Sequence, residues 1–150
     1  MMRTFDATVF NRIAAHPEIV AQFGQEQDFT EMAADPEFFA LFNNAEGDGG
    51  MVFEWSAPGV WQMHSLFLPS CRGKRAIRDA IDIGREMFTT VGATMIWGQT
   101  PVHLTGARMF NRLVGGSHLG FGKHWVSGDV EYFGSYRDDW LKRHGETPAR

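Results

Sequence analysis

Between Leu66 and Ala76 the chain reads Leu-Phe-Leu-Pro-Ser-Cys-Arg-Gly-Lys-Arg-Ala, an apolar run stopped by a proline and followed by a glycine among three cations. Beyond it, Ala76, Ile77, Ala80, Ile81, Gly84, Met87, Phe88 and Val91 recur at helical spacing. This pattern predicts a buried strand leading into a long helix, with Ser70 placed to cap it. The first N–H groups of a helix have no internal partners, and its aligned peptide dipoles concentrate partial positive charge there. Gly73 lets a ligand approach the backbone, and Arg72, Lys74 and Arg75 add charged donors within one turn. A phosphate or pyrophosphate is the anion that suits such an end. The bland alternative is a solvated basic helix start beside a polyanionic surface. Reversing Arg72 and Arg75 to Glu is expected to abolish anion binding and to spare the fold.

His64 stands just upstream. On a strand over residues 61–68 it shares a face with Leu66 and Leu68, and an imidazole that titrates near neutral pH suits a general base. A histidine hydrogen-bonded to a neighbouring strand explains the residue equally well. Glu54, on the preceding strand, is a second catalytic candidate, or simply a solvent-facing strand residue. Cys71 beside Arg72 has the setting of a lowered thiol pKa, but without an ordered histidine partner it is not read as a nucleophile. His103, His118, His124 and His144 lack ligand spacing, so no metal site is expected. Burial accounts for Trp55, Trp61 and Trp97, although they would also line a groove for a pantetheine arm or an acceptor.

These residues sit in 150 residues, 43% apolar and 21% charged, with one cysteine. That is one domain with a core of its own, neither a disulfide scaffold nor a structural zinc fold, and it suits a reducing, cytoplasmic setting. No apolar run is long enough to span a bilayer, and residues 1–6 lack the apolar stretch of a signal peptide. The net charge of −4 hides an asymmetry: residues 1–54 carry −8 and residues 55–150 carry +4. An acidic first third argues against a nucleic-acid partner, while a local basic zone still suits one anionic ligand.

The elements that position the segment are read from periodicity and punctuation. Asp6 caps a helix with Val9, Phe10, Ile13 and Ala14 at helical spacing that ends at His16-Pro17, and Pro17 opens a second that Gly24 stops. Phe38 to Phe42 reads as a strand, followed by antiparallel strands at Met51–Ser56 and Val60–Leu68. After the long helix, closed by Gly92, come a buried strand at Ala93–Trp97 and a polar break at Gly98–Pro101. A helix with Val102, Ala107, Phe110, Leu113 and Val114 inward follows, then two closing strands near Ser117–Trp125 and Asp129–Tyr136. Residues 145–150 read as a frayed tail. The order is two helices, three strands, helix, strand, helix, two strands, and the strand–helix–strand unit implies a parallel pair with a right-handed crossover. The fold class is α/β (α+β), a single domain with a mixed, mostly antiparallel sheet.

Leu68-Pro69 followed by Arg72-Gly73-Lys74, in this order of elements, resembles the GNAT superfamily of acyl-CoA-dependent N-acyltransferases. The resemblance covers about residues 51–135 and continues through Gln99, Ala107, Phe110 and Gly115-Gly116. It implies acetyl-CoA as co-substrate, with the pyrophosphate on Arg72, Gly73, Lys74, Arg75 and Ala76. It also implies a pantetheine arm on the backbone of Leu66, Phe67 and Leu68, in a splay between the central parallel strands. The acceptor would be an amine on a small molecule or a protein. The loop departs from the family in having Arg75 and Ile77 where small residues are usual. Asn111 stands where a tyrosine acid often sits, and an amide is no general acid. Small proteins of this kind are encoded by tailed bacteriophages, some beside virion genes. A non-catalytic structural or interaction subunit is therefore the alternative, with virion proteins as partners and the virion as its location. The closing strands of such folds often pair in a homodimer.

Overall fold

The computed structural model describes residues 2–148, with Met2 described for its backbone alone. Seven strands form one sheet in the order β1-β2-β3-β4-β5-β7-β6, namely Met2–Thr4, Phe39–Asn43, Gly49–Ala57, Val60–Phe67, Met95–Pro101, Gly128–Tyr136 and Ser117–His124. Every pairing is antiparallel except β4–β5. This is the mixed sheet with one central parallel pair that the strand–helix–strand pattern predicts.

The pleat divides the chain into two cores. Leu41, Val52 and Leu66 face α1 (Thr8–Ala14), α2 (Pro17–Phe23) and α3 (Thr30–Ala33), packing with Phe10, Ile13, Ile19 and Phe29. Phe42, Met51, Phe53, Trp61 and Phe67 face the opposite way, against Ala76, Ala80 and Ile83 of α4 (Lys74–Glu86). A π-helical turn, Met87–Val91, extends α4 and ends at Gly92, whose φ of 87° a glycine adopts without strain. The same core takes Val114, next to α5 (Thr105–Leu113), and Trp140 and Leu141 of α6 (Arg137–His144). At the amino end the N-cap of α1 is Ala7, which has no side-chain cap bond, and Asp6, expected as the cap, sits one residue upstream and accepts from the Thr8 N–H at 2.8 Å.

Several expectations are corrected. β1, α3 and α6 are not legible in the sequence: β1 and α3 have three and four residues, too few for a periodicity, and the eight-residue α6 buries only Trp140 and Leu141. β5 runs on through the supposed polar break to Pro101, because β7 pairs with it over its whole length, from Met95↔Tyr136 to Pro101↔Val130. Ser70 does not cap α4; that helix begins at Lys74, and the Ser70 hydroxyl donates to Asp48 instead. Ala107 and Leu113 of α5 are exposed, whereas Asn111 is buried and donates to the Thr100 hydroxyl at 2.9 Å. The tail is anchored at its start, where the Gly145 carbonyl accepts from Arg85 Nε at 3.1 Å. Residues 149 and 150 lie outside the described residues.

Candidate functional site

β4 and β5 pair only over Val60↔Met95, Trp61↔Ile96 and Gln62↔Trp97. β4 then runs to Phe67 and β5 to Pro101, each still paired on its other side, so the two strands part beyond Gln62 and Trp97. The backbone direction along this splay follows from one bond. Leu68 N–H donates to the Asp48 carbonyl at 2.9 Å, and antiparallel pairing alternates. Leu66 and Leu68 therefore turn their backbone groups toward β3, and it is Met63, Ser65 and Phe67 whose N–H and C=O face the opening. Of the three residues named for the pantetheine arm, Phe67 alone has this orientation. The Ser65 carbonyl already accepts from the Gln22 side chain of α2 at 3.1 Å. The Phe67 ring meets Phe110 of α5 at 5.6 Å.

The splay opens toward the start of α4. Gly73 has φ 93°, a conformation that favours glycine, and no side chain caps the helix. Its first backbone bond is Ile77 N–H to the Gly73 carbonyl at 3.1 Å, so the N–H groups of Lys74, Arg75 and Ala76 have no helical acceptor. A Cβ added at Gly73 would meet nothing within 4 Å, so space beside these donors is open. The arrangement can take an oxyanion by backbone donors and dipole together.

Around the loop, the acidic first third answers the basic residues directly. Arg75 forks onto the Asp48 carboxylate, lies 3.2 Å from Glu46 and donates to the Ser70 carbonyl. Arg72 Nη2 lies 2.8 Å from Glu18 Oε2. Lys74 and Arg78 make no ion pair among the described residues. Arg75 thus braces the loop, and reversing it would strike the fold as well as any ligand, contrary to expectation. Burial alone would raise the Asp48 pKa, but hydrogen bonds from Arg75, Ser70 and Asn44 outweigh it and hold the carboxyl at about 2. A carboxyl so depressed stabilises the fold above its unfolded pKa of about 3.9 and loses that contribution as pH falls toward 2. Asp48→Asn should therefore unfold about 1–2 kcal/mol more easily at pH 7, discounted for partial solvation, and the gap to wild type should close between about pH 4 and pH 2 in urea titrations.

Asn44 ties the same loop inward. Its amide donates to Asp48 Oδ1 at 2.9 Å, Asp79 Oδ2 at 3.1 Å and the Cys71 sulfur at 3.3 Å. Cys71 corrects the reading of a lowered thiol: it is fully buried, and burial together with Asp48 and Asp79, only partly opposed by Arg75, pushes it up to about 11. The helix end that would have acidified it begins three residues later.

His64 lies on the face shared with Leu66, two residues past the last β4–β5 pair, and its Nε2 is 3.5 Å from Glu54 Oε2. The two candidate catalytic residues therefore meet, diagonally across β3 and β4. Burial lowers the His64 pKa and Glu54 partly restores it, so the imidazole is held toward its neutral, proton-accepting form. Of the tryptophans, Trp61 is core, Trp55 packs edge-on against Phe38, and Trp97 points to the His64 face, its Nε1 donating to Ser56 Oγ at 2.9 Å.

Sequence reasoning missed Asp48, Gln22 and one buried carboxylate. Glu131 of β7 is 3% exposed and receives Arg108 at 3.0 Å and His118 Nδ1 at 2.6 Å, with Arg112 at 3.7 Å. This cluster ties α5 and β6 to β7. A lone glutamate in an alternating strand carries no signal that it points inward.

No family model matches the chain, and no curated protein matches it in sequence. Solved structures do. AAC(6')-Ib in complex with Parmomycin and AcetylCoA superposes with a TM-score of 0.72 at 14% identity, covering 98% of this chain and 97% of that one. The aminoglycoside acetyltransferase AAC(6')-Ib with coenzyme A gives 0.71 at 15% identity, over 95% and 96%. A chimera of spermidine N-acetyltransferase SpeG from Vibrio cholerae and hSSAT gives 0.71 at 13% identity, over 95% and 100%. At such identities the likeness speaks for architecture, and with the splayed parallel pair and the strand–loop–helix it establishes that this chain has the GNAT fold.

Proposed function

We propose that the protein is an N-acetyltransferase that moves an acetyl group from acetyl-CoA to an amine by direct attack. The observation that carries this reading is the β4–β5 splay opening onto the uncapped start of α4. The N–H groups of Lys74, Arg75 and Ala76, with the unpaired Lys74 side chain, would hold the pyrophosphate. The arm would lie along Met63, Ser65 and Phe67 after displacing the Gln22 amide, bringing the thioester to the last strand pair, beside His64. The bound structures of AAC(6')-Ib, one with AcetylCoA and one with coenzyme A, support this choice of cofactor.

In the reaction the neutral amine nitrogen attacks the thioester carbon and the C–S bond then breaks. The amine proton passes to His64, directly or through one water. With Glu54 beside Nε2, the tautomer protonated there is favoured, which leaves the Nδ1 lone pair as the base. Asn111 is committed to Thr100 and supplies no proton. The sulfur leaves as thiolate, whose thiol pKa of about 8.5 makes it a tolerable anion until solvent protonates it. Incubation with acetyl-CoA and amines should release free thiol, whereas neither thiol release nor cofactor binding would remove this reading.

A second reading has its own support. Gln22 already occupies a backbone acceptor in the splay, and Arg72 and Arg75 are already paired, as suits a GNAT fold kept as a non-catalytic subunit. Such a subunit would co-purify stoichiometrically with its partner and ignore coenzyme A.

A further inference from the structure

α2 touches the strand–loop–helix at two points. Glu18 and Gln22, four positions apart on this seven-residue helix, lie on one side of it a turn apart. Glu18 Oε2 stands 2.8 Å from Arg72 Nη2 in the loop before α4, and the Gln22 amide donates to the Ser65 carbonyl of β4 at 3.1 Å. One side of α2 therefore runs from the splay to the anion end. Little else fastens the helix: Ile19 is its single buried side chain, Val20 and Phe23 are half-buried, and the rest is exposed. Beyond Gly24, whose φ is 78°, residues 25–29 run without helix or strand until α3. A helix so held shifts at little cost to the sheet beneath it. Both of its contacts take up groups that an acyl-CoA needs. Gln22 stands where an amide of the arm would donate to the Ser65 carbonyl. Glu18 occupies Arg72 and sets a carboxylate beside the place of an incoming pyrophosphate.

We propose that α2 is a built-in competitor of the cofactor: a strap, pinned by Gln22 on Ser65 and by Glu18 on Arg72, that must let go before the arm and the pyrophosphate can settle. The inference rests on the acetyltransferase reading and adds a control on its cofactor site. Its consequence has the opposite sign to that of an ordinary site contact. Removing either side chain tightens the cofactor, because the carbonyl or the guanidinium is then free to receive it. Both pins are solvent-exposed, so each one alone has a small effect.

The test is calorimetric titration of the full chain and its variants with acetyl-CoA. Gln22→Ala and Glu18→Gln should each lower Kd about two- to fivefold, and the double variant about tenfold. Gln22→Ala carries the most weight, since it changes no charge. Glu26→Gln is the control for Glu18: it removes one negative charge from the segment after α2 and breaks no ion pair among the described residues, so it should leave Kd within about 1.5-fold. Tightening by Glu26→Gln equal to that by Glu18→Gln would overturn the Glu18 pin. Unchanged or weaker binding in both Gln22→Ala and the double variant, with the wild type binding acetyl-CoA, overturns the strap and leaves the transfer reading standing. Binding by the double variant with none by the wild type upholds the strap and counts against acetyl transfer by the wild-type chain. No binding by any of them overturns both.

Discussion

Replacing His64 by Ala should lower kcat/KM for acetyl transfer by about 10²–10³-fold, while acetyl-CoA binding stays within about twofold. The split follows from position. His64 stands beside the last β4–β5 pair on the face away from α4, clear of the pyrophosphate end, so its loss removes a proton acceptor rather than a cofactor contact. The pH profile provides a second readout. Activity should fall as pH drops through the His64 pKa, because the protonated imidazole is no base, and burial sets that limb below the ordinary histidine value. Glu54 raises the His64 pKa, so Glu54→Gln should move the limb to still lower pH. An unchanged rate and limb in both variants would remove His64 from the reaction.

Glu131→Ala should cost about 3 kcal/mol of stability, seen as a fall of about 6–12 °C in Tm. The carboxylate is buried, yet three cationic or ionisable side chains converge on it, and removing it leaves Arg108 and His118 facing an empty site. The estimate sits at the lower end for a broken buried pair because Arg108, Arg112 and His118 keep some solvent. Burial works against the charge, but the bonds from Arg108 and His118 outweigh it and lower the Glu131 pKa. Its contribution is therefore present above the unfolded carboxylate pKa and fades in acid. A Glu131→Ala variant as stable as the wild type at pH 7 would mean that the cluster is incidental.

The parts of the molecule that could be read in advance are those with local causes. Pro69 ends a strand and Gly73 admits a helix start within five residues, and the 3.6-residue spacing from Ala76 to Val91 needs no distant partner. The parallel pair follows from the crossover that this unit implies, whereas its splay is expected only from the family resemblance. Long-range pairing was not readable: Arg75 finds Asp48 across 27 positions of sequence, so a basic loop that invites an anion on paper has spent one arginine on its own brace. The charge asymmetry is in this respect partly internal neutralisation, with Glu18, Glu46 and Asp48 answering Arg72 and Arg75. Gly98-Gln99-Thr100-Pro101 looks like a break in the sequence, and only pairing with β7 makes it the second half of β5. His64 and Glu54 stand ten positions apart in sequence, and the register of β3 and β4 is what brings them together.

The central claim is that the splay and the open start of α4 hold a CoA thioester, and calorimetric titration of the whole chain with acetyl-CoA and with desulfo-CoA tests it most directly. Binding of both at one site per chain is expected, weakened at least tenfold by Lys74→Glu, a substitution that breaks no ion pair among the described residues. No heat with either ligand at millimolar concentration would contradict the account.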